Sequence, residues 1–148
     1  NDNGKVYDMC IGGKKIEVKT ARLGEHRSFQ HESLRNMGES DFWIFVDISP
    51  NDIHVTVLKD FDLSSNDKHP ILGKKPHLRK KAIDQYKLDF SHKTISNCIK
   101  AGITIKISEN DDNSKIGEFL YTKIIAEPLQ LEIDELTKSL NYKLSLLT

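Results

Sequence analysis

The sequence has few cysteines and prolines, no long apolar run and no excess of charge of either sign. Its two cysteines, Cys10 and Cys98, stand 88 positions apart and outside any C-x-x-C spacing, which argues against a disulfide scaffold or a cysteine-based zinc site. Apolar runs such as residues 44–46 and 103–105 fall far short of the ~20 residues of a membrane span. Balanced charge, with 22 basic and 22 acidic residues in 148, is typical of a globular domain. We therefore expect one soluble domain in a reducing, intracellular setting.

Five segments of the sequence have the pattern of β-strands. Two of them flank Gly12 and Gly13, and adjacent glycines supply the positive φ angles of a tight hairpin turn. The run at residues 42–46 is apolar throughout and predicts a central strand covered on both faces. Alternating apolar residues over 53–57 predict its antiparallel partner. The five predicted strands are residues 6–11, 16–21, 42–46, 53–57 and 103–107.

Helical spacing of apolar residues and suitable capping residues predict four helices. They cover residues 28–37, 92–101, a segment from about residue 116 up to Pro128, and 129–147. Residues 64–81 are polar, interrupted by proline and glycine, and rich in lysine and arginine, so they predict a mobile basic loop. Together the elements predict an α/β fold in which helices flank a mixed sheet.

Charged residues on the hairpin form the candidate active site. Glu17 and Lys19 are two residues apart on the second strand, so they project from one face while Ile16 and Val18 project from the other. Asp8 lies on the first strand, across a four-residue turn, so its carboxylate can approach Glu17. Two carboxylates and an ammonium group are therefore expected to converge.

Hydrolysis of a phosphodiester bond uses this combination of groups. Mg²⁺ prefers oxygen ligands and takes one or two protein carboxylates, with waters and substrate phosphate in its other positions. The candidate ligands are Asp8, Glu17 and the backbone carbonyl of Val18. Lys19 would orient the attacking water or stabilise charge that develops on phosphorus. The expected cofactor is Mg²⁺, for which Mn²⁺ can substitute.

At Asp8, Glu17 and Lys19 the sequence resembles the PD-(D/E)xK nuclease superfamily, whose signature is an acidic residue, a short hairpin and then Glu-x-Lys on the next strand. Residues 29–35, F-Q-H-E-S-L-R, and the apolar strand that ends in Asp47 also look like the segment after the motif in restriction endonucleases of that superfamily. The motif is short, so its value depends on the predicted hairpin around it.

The resemblance covers roughly residues 6–59 and implies a Mg²⁺-dependent endodeoxyribonuclease with a restriction-endonuclease-like mixed-sheet core. It implies double-stranded DNA as the partner and the cytoplasm of a prokaryote as the setting. A DNA repair or transposition nuclease is a second interpretation, because the motif sets the reaction and not the biological role. A non-catalytic DNA-binding or interaction module on the same fold is a third. Residues 1–148 are expected to be a single nuclease-like domain. Family members usually open with a helix that carries another acid, so either residues 1–148 are a fragment without that N-terminal helix or domain, or a different segment supplies the acid.

Eight further side chains are candidates for contact with DNA. Basic and amide groups suit phosphate oxygens, and those near the motif could instead position Lys19. Exposed side chains of these kinds are equally common without any ligand. The candidates are Gln30, His31, Arg35, Lys74, Lys75, Arg79, Lys80 and Lys81.

The last predicted helix, residues 129–147, is amphipathic. A cut through both strands of a duplex requires two active sites, which a symmetric homodimer would supply. The apolar face of this helix is a candidate for the dimer contact. Burial in the core of the same chain is the more common explanation of such a face.

Overall fold

The computed structural model describes residues 7–63, 68–72, 79–82 and 85–148. These residues form both β-sheets and helices, which agrees with the predicted α/β class. The strands are β1 Met9–Ile11, β2 Lys14–Arg22, β3 Ser28–Leu34, β4 Phe42–Ile48, β5 Asp52–Lys59, β6 Arg79–Ala82, β7 Gln85–Ser91 and β8 Thr104–Ser108. The helices are α1 His92–Lys100, α2 Asn113–Tyr121 and α3 Glu127–Ser145, and the π-helical turn Thr122–Ala126 joins α2 to α3.

The larger sheet has five strands in the order β1-β2-β4-β5-β8. β1 and β2 form an antiparallel hairpin, β2 runs parallel to β4, and β5 is antiparallel to both β4 and β8. The sheet is therefore mixed, as predicted. The apolar run of β4 lies in its middle, and β5 is the antiparallel partner that the alternating pattern indicated.

A second sheet consists of β3, β7 and β6 in that order, with antiparallel pairing throughout. The prediction of a helix over residues 28–37 is wrong, because β3 occupies most of that segment. Phe29 and His31 are buried, whereas Ser28 and Gln30 are partly exposed, which is the two-residue period of a strand. Pairing with β7, which we did not predict, overrides the weak helical spacing.

The predicted basic loop covers residues 64–81, of which the structure describes residues 68–72 and 79–81. Arg79–Ala82 form β6, which pairs with β7, so the prediction is wrong for Arg79, Lys80 and Lys81. Lys74 and Lys75 lie outside the described residues.

The large sheet is the middle layer of three. One of its faces carries Trp43 and Phe45, which pack against the small sheet and α1 in a cluster that includes Phe90. The other face carries Ile16 and Ile44, which pack with residues of α2 and with Ile124 of the π-helical turn. The sheet is thus covered on both faces, which accounts for the continuous apolar run of β4.

The prediction of a helix over residues 92–101 is confirmed by α1. The two helices predicted after residue 116 are confirmed only in part. α1 begins at its N-cap, Ser91, whose hydroxyl accepts a hydrogen bond from the Thr94 amide. The prediction that a helix stops at Pro128 is wrong, because α2, the π-helical turn and α3 follow without a break. Pro128 lies in the first turn of α3, directly after the π-helical turn, so the α-helical hydrogen-bond pattern that proline would interrupt is already irregular there. Within the described part of the chain, no helix has the length and apolar character needed to cross a membrane.

The hairpin turn rests against the π-helical turn at Gly12. Gly12 and Gly13 have φ angles of 55° and 80°, so an L-residue at either position costs about 1 kcal/mol. A Cβ at Gly12 would in addition overlap Cδ1 of Ile125, whereas a Cβ at Gly13 meets no atom among the described residues within 4 Å. We expect Gly12→Ala to lower the free energy of unfolding more than Gly13→Ala does, as measured by urea denaturation, because the terminal methyl of Ile125 must move to make room. Equal losses would contradict this contact.

Candidate active site

The hairpin brings Asp8 beside Glu17. Pairing of Met9 with Ile16 sets the register, and the Asp8 amide donates to the Ile16 carbonyl at 2.9 Å, so Asp8 continues the strand pairing. Its carboxylate Oδ2 accepts a hydrogen bond from the Val18 amide at 2.7 Å. The approach of Asp8 to the second strand, expected from the four-residue turn, is therefore present.

Glu17 and Lys19 project from the face of β2 that carries Ala21 into the cluster with Trp43 and Phe45. The Lys19 ammonium nitrogen lies 3.6 Å from Glu17 Oε2. Glu17 is only 9% exposed, whereas Asp8 is exposed. The group of three charges therefore runs from the protein surface at Asp8 towards the interior at Glu17.

Burial raises the pKa of the Glu17 carboxyl above its ordinary value, and the negative charge of Asp8 raises that pKa further. Lys19 acts in the opposite direction without reversing the shift. The two carboxylates thus hold more negative charge than the single ammonium group balances. Such a site favours either a proton or a cation.

The Lys19 side chain has a second partner that we did not predict from the sequence. Its ammonium donates a hydrogen bond to the Ser33 carbonyl at 3.2 Å. Ser33 has a φ of 57° and sits where the register of β3 shifts between His31 and Leu34, so a bulge turns this carbonyl towards Lys19. Nothing in the local sequence predicts a bulge at serine.

His31 and Asp47 form a buried pair between the two sheets. His31 Nε2 lies 2.6 Å from Asp47 Oδ1, and both side chains have no exposed surface. His31 also makes edge contacts with the rings of Phe45 and Phe90. The side chain that we considered for DNA contact therefore lies inside, where it ties β3 to β4 two residues before Ser33.

The other described candidates for DNA contact lie on the strands of the small sheet or directly after one of them. Gln30 is partly exposed on β3 next to His31, so it projects from the opposite face of the strand, and Arg35 is exposed just beyond the end of β3. Arg79, Lys80 and Lys81 belong to β6, and Lys74 and Lys75 lie outside the described residues.

The donor atoms fit a hard divalent cation. Asp8 and Glu17 offer carboxylate oxygens, and the site has uncompensated negative charge. Successive backbone carbonyls of β2 point to opposite sides of the strand. The Lys15 carbonyl accepts a hydrogen bond from the Asp41 amide, just before β4, and the Ile16 carbonyl accepts one from the Asp8 amide on the other side. The Val18 carbonyl therefore points to the Asp8 side. No group of three or more His, Cys, Asp or Glu side chains suited to a metal is found in the described ranges, and Mg²⁺ does not need one.

Comparison of the chain with protein-family models, with curated proteins and with solved structures found no match. The candidate site is therefore defined by its own geometry and by the resemblance of its motif.

Proposed function

We propose that this protein is a Mg²⁺-dependent endodeoxyribonuclease of the restriction-endonuclease type. The observation that carries the proposal is the convergence of Asp8, Glu17 and Lys19 at one end of a hairpin, where burial and then the charge of Asp8 raise the Glu17 pKa. A purely structural ion pair has no need of a second carboxylate that destabilises the first. A cation site gains from it, because the bound ion removes the repulsion.

The position of each residue determines the role that we propose for it. Asp8 and Glu17, with the Val18 carbonyl, would hold Mg²⁺, which when bound polarises a phosphoryl oxygen and makes a bound water more acidic. The Lys19 ammonium lies beside Glu17 and is oriented by the Ser33 carbonyl. From there it would stabilise negative charge on the phosphate or orient the attacking water.

The direct test is incubation of the chain with plasmid DNA and Mg²⁺, followed by sequencing of the fragment ends. Metal-dependent cleavage with 5′ or 3′ ends at defined positions is the expected result, and it would identify the recognition sequence as well. EDTA should stop the reaction. Intact DNA at every Mg²⁺ and Mn²⁺ concentration would contradict the proposal for this chain.

The competing proposal is a non-catalytic DNA-binding or interaction module. The observation in its favour is that Lys19 already has two partners, Glu17 and Ser33, so its role can be structural. Metal binding separates the two functions, because a binding module needs no cation at Asp8 and Glu17.

A calorimetric titration with Mn²⁺ measures that difference. The parent protein should bind the ion, and Asp8→Asn should weaken binding about tenfold or more, since it removes one of two charged ligands. Affinity should also fall as the pH is lowered through the Glu17 pKa, at a higher pH than for an ordinary glutamate. Asp134→Asn, at an exposed position on α3, is the control. Equal affinity of the parent and Asp8→Asn would remove the metal site.

A further inference from the structure

α3 carries apolar side chains that no described residue of this chain covers. Every residue from 129 to 148 is exposed, and no residue of α3 is buried. Its first turns approach the large sheet through Pro128, Leu131 and Glu135, which line a cavity with Phe42 and Lys59. The exposed large apolar residues of this segment are Leu129, Leu131, Ile133, Leu136, Leu140, Tyr142, Leu144, Leu146 and Leu147. The expectation that core burial explains the amphipathic pattern is therefore wrong.

Most of these residues form a narrow stripe. At about 100° of rotation per residue, six of them lie within a sector roughly 80° wide. The stripe consists of Leu129, Ile133, Leu136, Leu140, Leu144 and, in the turn after the helix, Leu147. Leu131 points about 180° away from the centre of the stripe, so the stripe faces away from the side by which α3 approaches the sheet. A stripe of this width is typical of helices that pack against a single partner helix.

The spacing of the stripe is nearly the same when read in either direction. Measured from Lys138, Leu136 and Leu140 stand two positions away on either side, and Leu129 and Leu147 stand nine positions away. In an antiparallel pair of two such helices, related by a two-fold axis near residue 138, Leu136 would therefore face Leu140 of the second copy and Leu129 would face Leu147. The two remaining residues of the stripe, Ile133 and Leu144, would lie within one position of each other. An isologous contact needs this self-complementarity.

The charges of α3 favour the same arrangement. Its four acidic residues all lie in the first half, from Glu127 to Glu135, and its two lysines, Lys138 and Lys143, lie in the second. Glu132 and Lys143 border the stripe on the same side, six and five positions from its centre. In the antiparallel pair Glu132 of one copy lies across from Lys143 of the other, twice by symmetry. A parallel pair would instead bring the two acidic halves together.

We propose that the protein forms a homodimer in which the α3 helices of two copies pack antiparallel through this stripe. The inference does not rest on the nuclease function. It uses only the exposed apolar stripe, the two-fold spacing of the stripe and the distribution of charge along α3.

Light scattering and sedimentation of the whole chain over a wide concentration range test the dimer. The parent should reach twice its chain mass of 16.9 kDa. The double variant Leu136→Glu with Leu140→Glu, at the centre of the stripe, should remain monomeric over the same range. Its circular-dichroism spectrum should be unchanged, because neither side chain is buried. Tyr142→Glu with Leu146→Glu, equally exposed on the other side of the helix, should still dimerise.

Two results would overturn the dimer. One is a parent protein that is monomeric at every concentration, and the other is a double variant of Leu136 and Leu140 whose mass equals that of the parent. Charge reversal tests the orientation. Glu132→Lys and Lys143→Glu should each weaken association several-fold, and the double variant should recover it, because the exchanged charges again face each other. Failure of the double variant to recover would contradict the antiparallel pairing.

Discussion

Glu17→Gln is expected to abolish Mg²⁺-dependent DNA cleavage and to leave the fold intact. The amide has nearly the same size, so it keeps its place beside Lys19, but it removes one of the two charges that would hold the cation. Loss of such an electrostatic contribution lowers the rate by at least about 100-fold. The measurement is the initial rate of plasmid cleavage at saturating Mg²⁺, with circular dichroism as the check on folding.

A matched variant separates loss of the site from loss of a charge in general. Glu39→Gln changes an exposed glutamate outside the candidate site and should cleave like the parent. Lys19→Ala should also lose cleavage, but it should retain Mn²⁺ binding because both carboxylates remain. If Glu17→Gln cleaves DNA as fast as Glu39→Gln, Glu17 has no part in the reaction.

The raised pKa of Glu17 also predicts how stability depends on pH. In the folded protein the carboxyl holds its proton at a pH where the unfolded chain has already released it. The contribution of this group to the free energy of unfolding therefore falls as the pH rises from the ordinary glutamate pKa through the raised one. Glu17→Gln lacks this contribution, so its stability relative to the parent should rise over that interval in metal-free buffer. A relative fall, followed by urea denaturation at several pH values, would contradict the shift.

Asp47→Ala is expected to lower the free energy of unfolding more than Gly12→Ala, Gly13→Ala or Asp52→Ala does. It leaves His31 buried without its strongest polar partner, at a place where both side chains are fully enclosed and the two atoms stand 2.6 Å apart. Removal of one member of a buried pair costs about 3–5 kcal/mol. Urea denaturation at neutral pH measures the change in the free energy of unfolding.

Two further variants show whether that loss comes from the pair itself. Asp52→Ala breaks a 3.8 Å ion pair with Lys106 whose side chains are 32% and 55% exposed, and it should cost no more than about 1 kcal/mol. The double replacement of His31 and Asp47 by leucine should cost less than Asp47→Ala. His31 Nδ1 and Asp47 Oδ2 are buried without partners among the described residues, so the pair is already expensive to enclose. A loss below about 1 kcal/mol for Asp47→Ala would contradict the structural role.

The hairpin and the central strands could be predicted from the sequence because their signals are local. Gly12 and Gly13 define the turn, and the two-residue spacing of Glu17 and Lys19 fixes their common face. β3 was not predictable in the same way, since its conformation depends on pairing with β7. The alternation of Tyr86, Leu88 and Phe90 is a signal that could have revealed β7.

The remaining parts of the candidate site depend on contacts between distant segments. His31 and Asp47 are 16 positions apart, and Lys19 and Ser33 are 14 apart, and neither pair has a spacing that suggests contact. Asp47 does stand out as an acid within an otherwise apolar strand, and a buried acid needs a partner. The bulge that turns the Ser33 carbonyl towards Lys19 has no such sign in the sequence.

The route of the chain between β2 and β4 determines the order in which the site can assemble. After β2 the chain leaves the large sheet, contributes β3 to the small sheet, and returns as β4 parallel to β2. A hairpin such as β1–β2 forms within about 1–10 μs, so Asp8 and Glu17 can meet early in folding. The bond from Lys19 to Ser33 must wait until the two sheets stack, a slower step because it joins distant segments. The acidic pair therefore depends on the hairpin alone, whereas the position of the Lys19 ammonium at Ser33 depends on the packing of the two sheets.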